Sequence, residues 1–209
     1  MCQFFYTHGL CTFVNIYKMG LNNKRIVITG GPGTGKTVLI SSLEEKGFHC
    51  FHEVIRTMTL DALNGKRANE LLINPIDFVD DAKSFNDELI KARLNHFNDG
   101  KNIDKKHLFY DRGIPDVIAY MNYFNQPIEK PYNELCLQNR YDEVLILPPW
   151  KDIYVQDNER MENFEQACGI HEHLEKTYIN LGYNPIKVPF GTIENRLQFV
   201  VDLIEKIGE

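Results

Sequence analysis

A chain of 209 residues with 43% hydrophobic and 25% charged content has the size and composition of one globular domain with its own core. Its net charge of −6 argues against nonspecific binding to nucleic acid or anionic membrane, while leaving room for a local basic pocket for phosphates. The cysteines Cys2, Cys11, Cys50, Cys136 and Cys168 are odd in number and form no Cys-x-x-Cys pair, so neither a disulfide framework nor a zinc site is signalled and a reduced, cytoplasmic setting is expected.

Residues 1–18 are mildly apolar, but Gln3, Thr7, His8, Thr12 and Asn15 interrupt them, so no membrane span is built there. They have neither the basic start nor the small-residue cleavage site of a secretory signal. With Met19 shortly before the first strand, residues 1–18 are expected to be an extension or an upstream mis-start, and residues 19–209 the domain proper.

The β-branched run Arg25–Thr29 leads into Gly30-Gly31-Pro32-Gly33-Thr34-Gly35-Lys36-Thr37, and that into the helix-forming Val38–Leu43. Strand, glycine-rich turn and helix together complete the P-loop pattern G-x-x-x-x-G-K-[ST]. Glycines let the backbone wrap an anion with its N–H groups inward, and the helix points its positive dipole end at the same place. Lys36 is expected to reach the outer phosphates and the Thr37 hydroxyl to sit on Mg²⁺. A nucleoside triphosphate, ATP or alternatively GTP, is therefore the expected ligand.

The spacing predicts a helix over 36–46 closed by Gly47, then a short strand over 48–51. Glu53 and Arg56 follow. They are either a solvated pair or a polar rim at the carboxyl end of a strand, where open α/β sheets place their ligands. His49 and His52 have no third ligand nearby, so a metal signal there is weak. Residues 61–75 read as a loop with a helical turn, and 76–97 as a helix whose stripe is Phe78, Ala82, Phe85, Leu89, Ile90, Leu94 and Phe97. Lys91 and Arg93 are assigned to its solvated face, with no role.

The second chemically loaded stretch is His107–Asp116, an apolar strand ending in Asp111-Arg112-Gly113, with Pro115 where a helix would begin. An Asp at the tip of a strand beside the P-loop can hold Mg²⁺ or accept a proton from an attacking hydroxyl, and Arg112 adds positive charge near the transferring phosphate. Asp-Arg-Gly is also simply a good turn. Hydrolytic motors and transporters carry Asp-Glu at this tip, and Ras-like GTPases an Asn-Lys-x-Asp motif. This chain has neither, which suits transfer to a bound acceptor.

Helices over about 115–124 and 132–140 precede a strand over 143–147. The polar segment 150–160 is placed to act as a lid before a long helix to about Leu181. Arg160 is either its phosphate-reaching arginine or an ordinary helix-start residue. His171 falls on that helix's packing stripe. A last strand over 185–190 leads through Thr192, a helix N-cap with a turn placed near a nucleotide base, into a helix striped by Ile193, Leu197, Val200, Ile204 and Ile207. Five strands each followed by helix imply a parallel sheet covered on both faces, a three-layer α/β fold.

The ordered set Gly30–Thr37, Glu53-Val-Ile-Arg56, Tyr110–Asp116, and Leu147-Pro-Pro-Trp150 with Asp157-Asn-Glu-Arg160 resembles one family. It is the AAA-type P-loop ATPase family related to the ribosylnicotinamide kinase domain of the bacterial NAD regulator (NadR-like), which includes the animal TRPL translocation defect protein. The resemblance covers about Lys24 to Ile207. It implies a kinase-like P-loop NTPase with sheet order 2-3-1-4-5, Asp111 lying beside the P-loop strand. The expected function is Mg²⁺-dependent transfer of the ATP γ-phosphate to a small, nucleoside-like acceptor. Lys36, Asp111, Arg112 and Arg160 would carry the chemistry, Gly30–Thr37 and Thr192 would hold the nucleotide, Thr37 and Asp111 the metal, and Glu53 and Arg56 the acceptor. The alternative is a slowly hydrolysing nucleotide switch with a protein or lipid partner. Nothing in the sequence speaks to oligomeric state.

Overall fold

The computed structural model describes residues 23–55, 82–154 and 162–207. Residues 1–18, the whole of the 61–75 loop, Arg56, Phe78 and Arg160 lie outside these residues. Strands β1 (Lys24–Gly30), β2 (His49–Phe51), β3 (His107–Asp111), β4 (Glu143–Leu147) and β5 (Ile186–Lys187) form one sheet in the order β2-β3-β1-β4-β5. Every pairing is parallel. Among the described residues the longer helices are α1 (Lys36–Glu45), α2 (Ala82–Asp99), α3 (Ile114–Tyr123), α4 (Lys130–Gln138), α5 (Phe164–Asn180) and α6 (Ile193–Ile207).

Alternation along β1 explains the layers. Ile26 and Ile28 face a core with Leu39, Ile40 and Leu43 of α1 and Val200 and Ile204 of α6. Val27 points the other way, packing with Phe97 of α2 and Tyr178 of α5. The same alternation leaves Thr29, fully buried, on the α5 side, where an apolar residue would be the ordinary choice.

The central strands β1, β3 and β4 match the apolar runs of the sequence. The edges are shorter than the patterning predicts. β5 reduces to Ile186–Lys187: the Val188 amide still donates to Ile146 O (3.0 Å) and the residue is buried, and the chain then leaves the sheet at Pro189.

Parallel register brings the carboxyl ends of β1, β3 and β4 to one edge. Ile28 pairs with Asp111, and Gly30 with Leu147. The P-loop, the Asp111-Arg112 tip and the segment after β4 therefore meet at the sheet's crossover, where α/β folds bind ligands.

Candidate active site

The P-loop is tied down on both sides. Gly35 precedes α1 in the left-handed region (φ 83°), where a side chain would be strained. Gly31 touches α5, and a Cβ on it would lie 2.6 Å from the Ala167 carbonyl oxygen. Thr34 donates to Gly31 O (2.9 Å), and the Lys36 ammonium donates to Gly31 O (2.8 Å) and to Thr34 Oγ1 (3.4 Å). Burial first, and then the Arg112 charge, push the Lys36 ammonium down to about 7, against the pull of Asp111, Glu53 and Asp116. A bound polyphosphate would reverse that balance by supplying the negative charge the lysine lacks.

Beyond β3 the chain makes a conformation rare for a side-chain-bearing residue. Arg112 has φ 71°, at a cost of about 1–3 kcal/mol for a non-glycine residue held in such a region. Four contacts hold it there. Its amide donates to Ile28 O (3.0 Å), its Nε lies 2.5 Å from Glu53 Oε2, its Nη1 lies 3.2 Å from Asp116 Oδ1, and its guanidinium sits 5.2 Å from the Tyr120 ring centroid. Glu53 and Arg112 belong to separate motifs of the sequence, and the structure makes them one ion pair.

Two residues without an assigned role complete this group. Arg93, assigned to a solvated face, is 3% exposed. It lies 3.0 Å from Glu53 Oε1 and donates to Gly113 O at 2.9 Å. That is a correction, and its reason is tertiary: α2 turns this face onto α3 and the Asp111 tip, so a charged residue inside the stripe meets a carboxylate there. Lys91, by contrast, is exposed.

Asp116, on the first turn of α3, is fully buried and saturated with donors. Thr29 Oγ1 (2.5 Å), Tyr178 OH (2.6 Å), the Gly113 amide (2.9 Å) and Arg112 Nη1 all reach it. Burial alone would push its carboxyl up; Arg93, Arg112 and the two hydroxyls override that and hold it below the usual carboxylate range. Asp116 thus links β1, α3, α5 and the Arg112 turn.

Asp111 is different. Its Oδ1 is buried with no hydrogen-bond partner, and burial followed by Glu53 pushes its carboxyl up, against Lys36, Arg112 and Arg93. The Thr37 hydroxyl sits on an exposed residue in the first turn of α1. A hard cation that prefers oxygen and shares its shell with phosphates and water fits this pair of donors. Among the described residues no group of three His, Cys, Asp or Glu side chains could hold a metal. His52 is engaged with Glu44 (2.7 Å).

After β4, Lys151–Ile153 form a single 3₁₀ turn, and the Trp150 ring lies 5.2 Å from that of Phe190. The Tyr154 ring covers the P-loop, so close to Gly33 that a Cβ there would lie 2.7 Å from it. The Tyr154 hydroxyl donates to the Glu162 carbonyl. The root of the expected lid thus touches the phosphate loop, while residues 155–161 with Arg160 lie outside the described residues. Thr192 Oγ accepts from the Asn195 amide (3.3 Å), the expected N-cap of α6. His171 is buried, as its stripe position predicts.

The family model for an AAA domain matches residues 25–196, the stretch that holds the P-loop, Glu53, Asp111 and Asp116. The chain belongs to this AAA domain family. No curated protein matches its sequence. Among solved structures, this AAA domain is similar to deoxyadenosine kinase from M. mycoides with bound dATP, at 17% identity and TM-score 0.59, covering 87% of this chain and 99% of that one. It is also similar to thymidylate kinase from Candida albicans (17% identity, TM-score 0.62, 89% and 92% covered). A third is NadR in complex with NAD and AMP-PNP (18% identity, TM-score 0.65), where 90% of this chain matches 50% of that one. At such identities the likeness is one of fold: the AAA domain has the P-loop kinase architecture. Among the described residues no helix is long and apolar enough to cross a membrane.

Proposed function

We propose that this AAA domain is an ATP-dependent phosphotransferase that moves the γ-phosphate to a hydroxyl of a small, nucleoside-like acceptor, with GTP as the other candidate donor. One observation carries the reading. The residue after the strand-tip Asp111 is Arg112, pinned in a left-handed turn by Glu53 and Asp116. Hydrolytic motors carry a water-activating carboxylate at this position; here a fixed, ion-paired cation stands in its place.

On this reading the P-loop amides and Lys36 bind the triphosphate, and Thr37 and Asp111 hold Mg²⁺, which neutralises phosphate charge when bound. Asp111, whose carboxyl is pushed up, is suited to take the proton of the acceptor hydroxyl or to share in holding the metal. Arg112, and Arg160 from the lid, balance charge on the transferring group. Glu53 orients the acceptor together with Arg56, and Thr192 lies at the base end of the nucleotide. The kinase fold shared with the deoxyadenosine and thymidylate enzymes supports a nucleoside-like acceptor.

The test is ADP release from ATP·Mg²⁺ across a panel of nucleosides, nucleotides and sugars. An acceptor should stimulate turnover, and Asp111→Asn should abolish the stimulation while ATP still binds. Tight ATP binding with no stimulation by any acceptor would favour the nucleotide switch instead.

A further inference from the structure

Three arginines lie around the P-loop and the Asp111 tip: Arg93, which is buried, Arg112, which is nearly so, and Arg196, which is also buried. The first two are matched by Glu53 and Asp116. Arg196, on α6, is not. It is 4% exposed, its Nη1 donates to Thr34 O (3.0 Å), and its Nε is buried without a partner. Its Nη1 sits so close to Gly35 that a Cβ there would lie 2.9 Å away. Among the described residues no carboxylate pairs with it, and burial, the one influence on its acidity, pushes its pKa down.

An unpaired buried cation costs folding free energy, so its place needs a compensating interaction. The Thr34 carbonyl belongs to the same peptide group as the Gly35 N–H. In a P-loop that N–H faces the phosphates and the carbonyl faces outward. A cation donating to the carbonyl polarises the peptide and makes its N–H a stronger donor to an anion. Arg196 therefore acts through the loop, from the side away from the phosphates.

We propose that Arg196 is a positioning residue for the nucleotide: it fixes the Thr34–Gly35 peptide and leaves on the P-loop a positive charge that no carboxylate among the described residues answers and that the phosphates of a bound nucleoside triphosphate would. The proposal rests on the P-loop reading and extends it to a residue 162 positions from Thr34, which no motif names. It implies that Arg196 weakens the ligand-free fold and strengthens the liganded one.

The experiment compares Arg196→Gln, which keeps an N–H donor for Thr34 O but removes the charge, with Arg196→Lys, which keeps the charge. For each, and for Lys36→Ala, the ATP·Mg²⁺ dissociation constant is measured by calorimetry, with melting temperatures with and without ATP. Arg196→Gln should bind ATP about tenfold more weakly. Its ligand-free melting temperature should equal or exceed that of the unsubstituted chain, a readout that loss of a mere strut would move downward. Arg196→Lys should stay within about threefold of the unsubstituted affinity, since the charge persists.

Unchanged ATP affinity in Arg196→Gln would overturn the proposal. So would a fall in its ligand-free melting temperature alongside the affinity, or a loss in Arg196→Lys as large as in Arg196→Gln. Should Arg196→Gln not fold, Arg196→Lys decides alone: affinity near that of the unsubstituted chain supports the proposal, and a tenfold loss overturns it. If Lys36→Ala weakens ATP binding and Arg196→Gln does not, only this proposal fails. If neither does, the P-loop reading fails with it.

Discussion

The Nε of Arg112 lies 2.5 Å from Glu53 Oε2, and this contact joins the end of β2 to the turn after β3. Glu53 also reaches Arg93, and Arg112 also reaches Asp116, so the carboxylates and guanidiniums alternate in one largely buried chain. Arranged this way, charges that would be costly alone neutralise one another, and each fixes its neighbour's position. The group stands beside Asp111, so its rigidity bears directly on the reacting geometry.

Glu53→Gln should release Arg112 from its strained turn and disturb the acceptor side, leaving the P-loop intact. Turnover is expected to fall about 10²-fold, as misplacement of a positioned group does. The ATP dissociation constant should change by less than about threefold. Steady-state kinetics set beside an ATP titration separate the two effects; a large loss of ATP affinity would place Glu53 on the donor side instead.

Arg93→Met removes one partner of a buried pair and also the donor to Gly113 O. A loss of about 3 kcal/mol is expected in urea unfolding, the usual scale for breaking such a pair. Because Glu53 is its partner, the double variant with Glu53→Gln should lose less than the sum of the single losses. Strict additivity would mean that the two residues are not coupled.

Asp116 supplies a pH dependence whose sign follows from its environment. Its carboxyl is held below its ordinary value of 3.8 in the folded chain, so the unfolded chain binds the proton more readily. The resulting stabilisation is present above 3.8 and is lost as pH falls through the lower folded-state value. Urea midpoints taken from about pH 6 down to about pH 3 should therefore decline more steeply in the unsubstituted chain than in Asp116→Asn. Parallel curves would show that Asp116 titrates alike in both states.

What was legible in the sequence was local or strongly patterned. Gly30 to Thr37 is contiguous, and Asp111 ends an apolar run, so strand, loop and helix could be placed from their neighbours alone. The central sheet followed from its β-branched runs, and its order came from family resemblance. Arg93, Asp116 and Arg196 were not legible as site residues because their partners are far along the chain: Glu53 is 40 residues from Arg93, Thr29 is 87 from Asp116, and Thr34 is 162 from Arg196. One signal was nevertheless present. Arg93 falls between Leu89, Ile90 and Phe97, and Arg196 between Ile193 and Val200, both inside apolar stripes at helical spacing. A charge within such a stripe is either an error of phase or a buried group with a partner, and here both arginines are buried. The edge strand β5 is shorter than its apolar run, because that run continues past Pro189 after the chain has left the sheet.

The fate of the γ-phosphate decides between transfer to an acceptor and hydrolysis. With ATP labelled at the γ-phosphate, Mg²⁺ and a stimulating acceptor, the label should appear in a phosphorylated acceptor, with little free phosphate, and transfer should be lost in Asp111→Asn. Label released only as inorganic phosphate, at a rate indifferent to every acceptor, would contradict it.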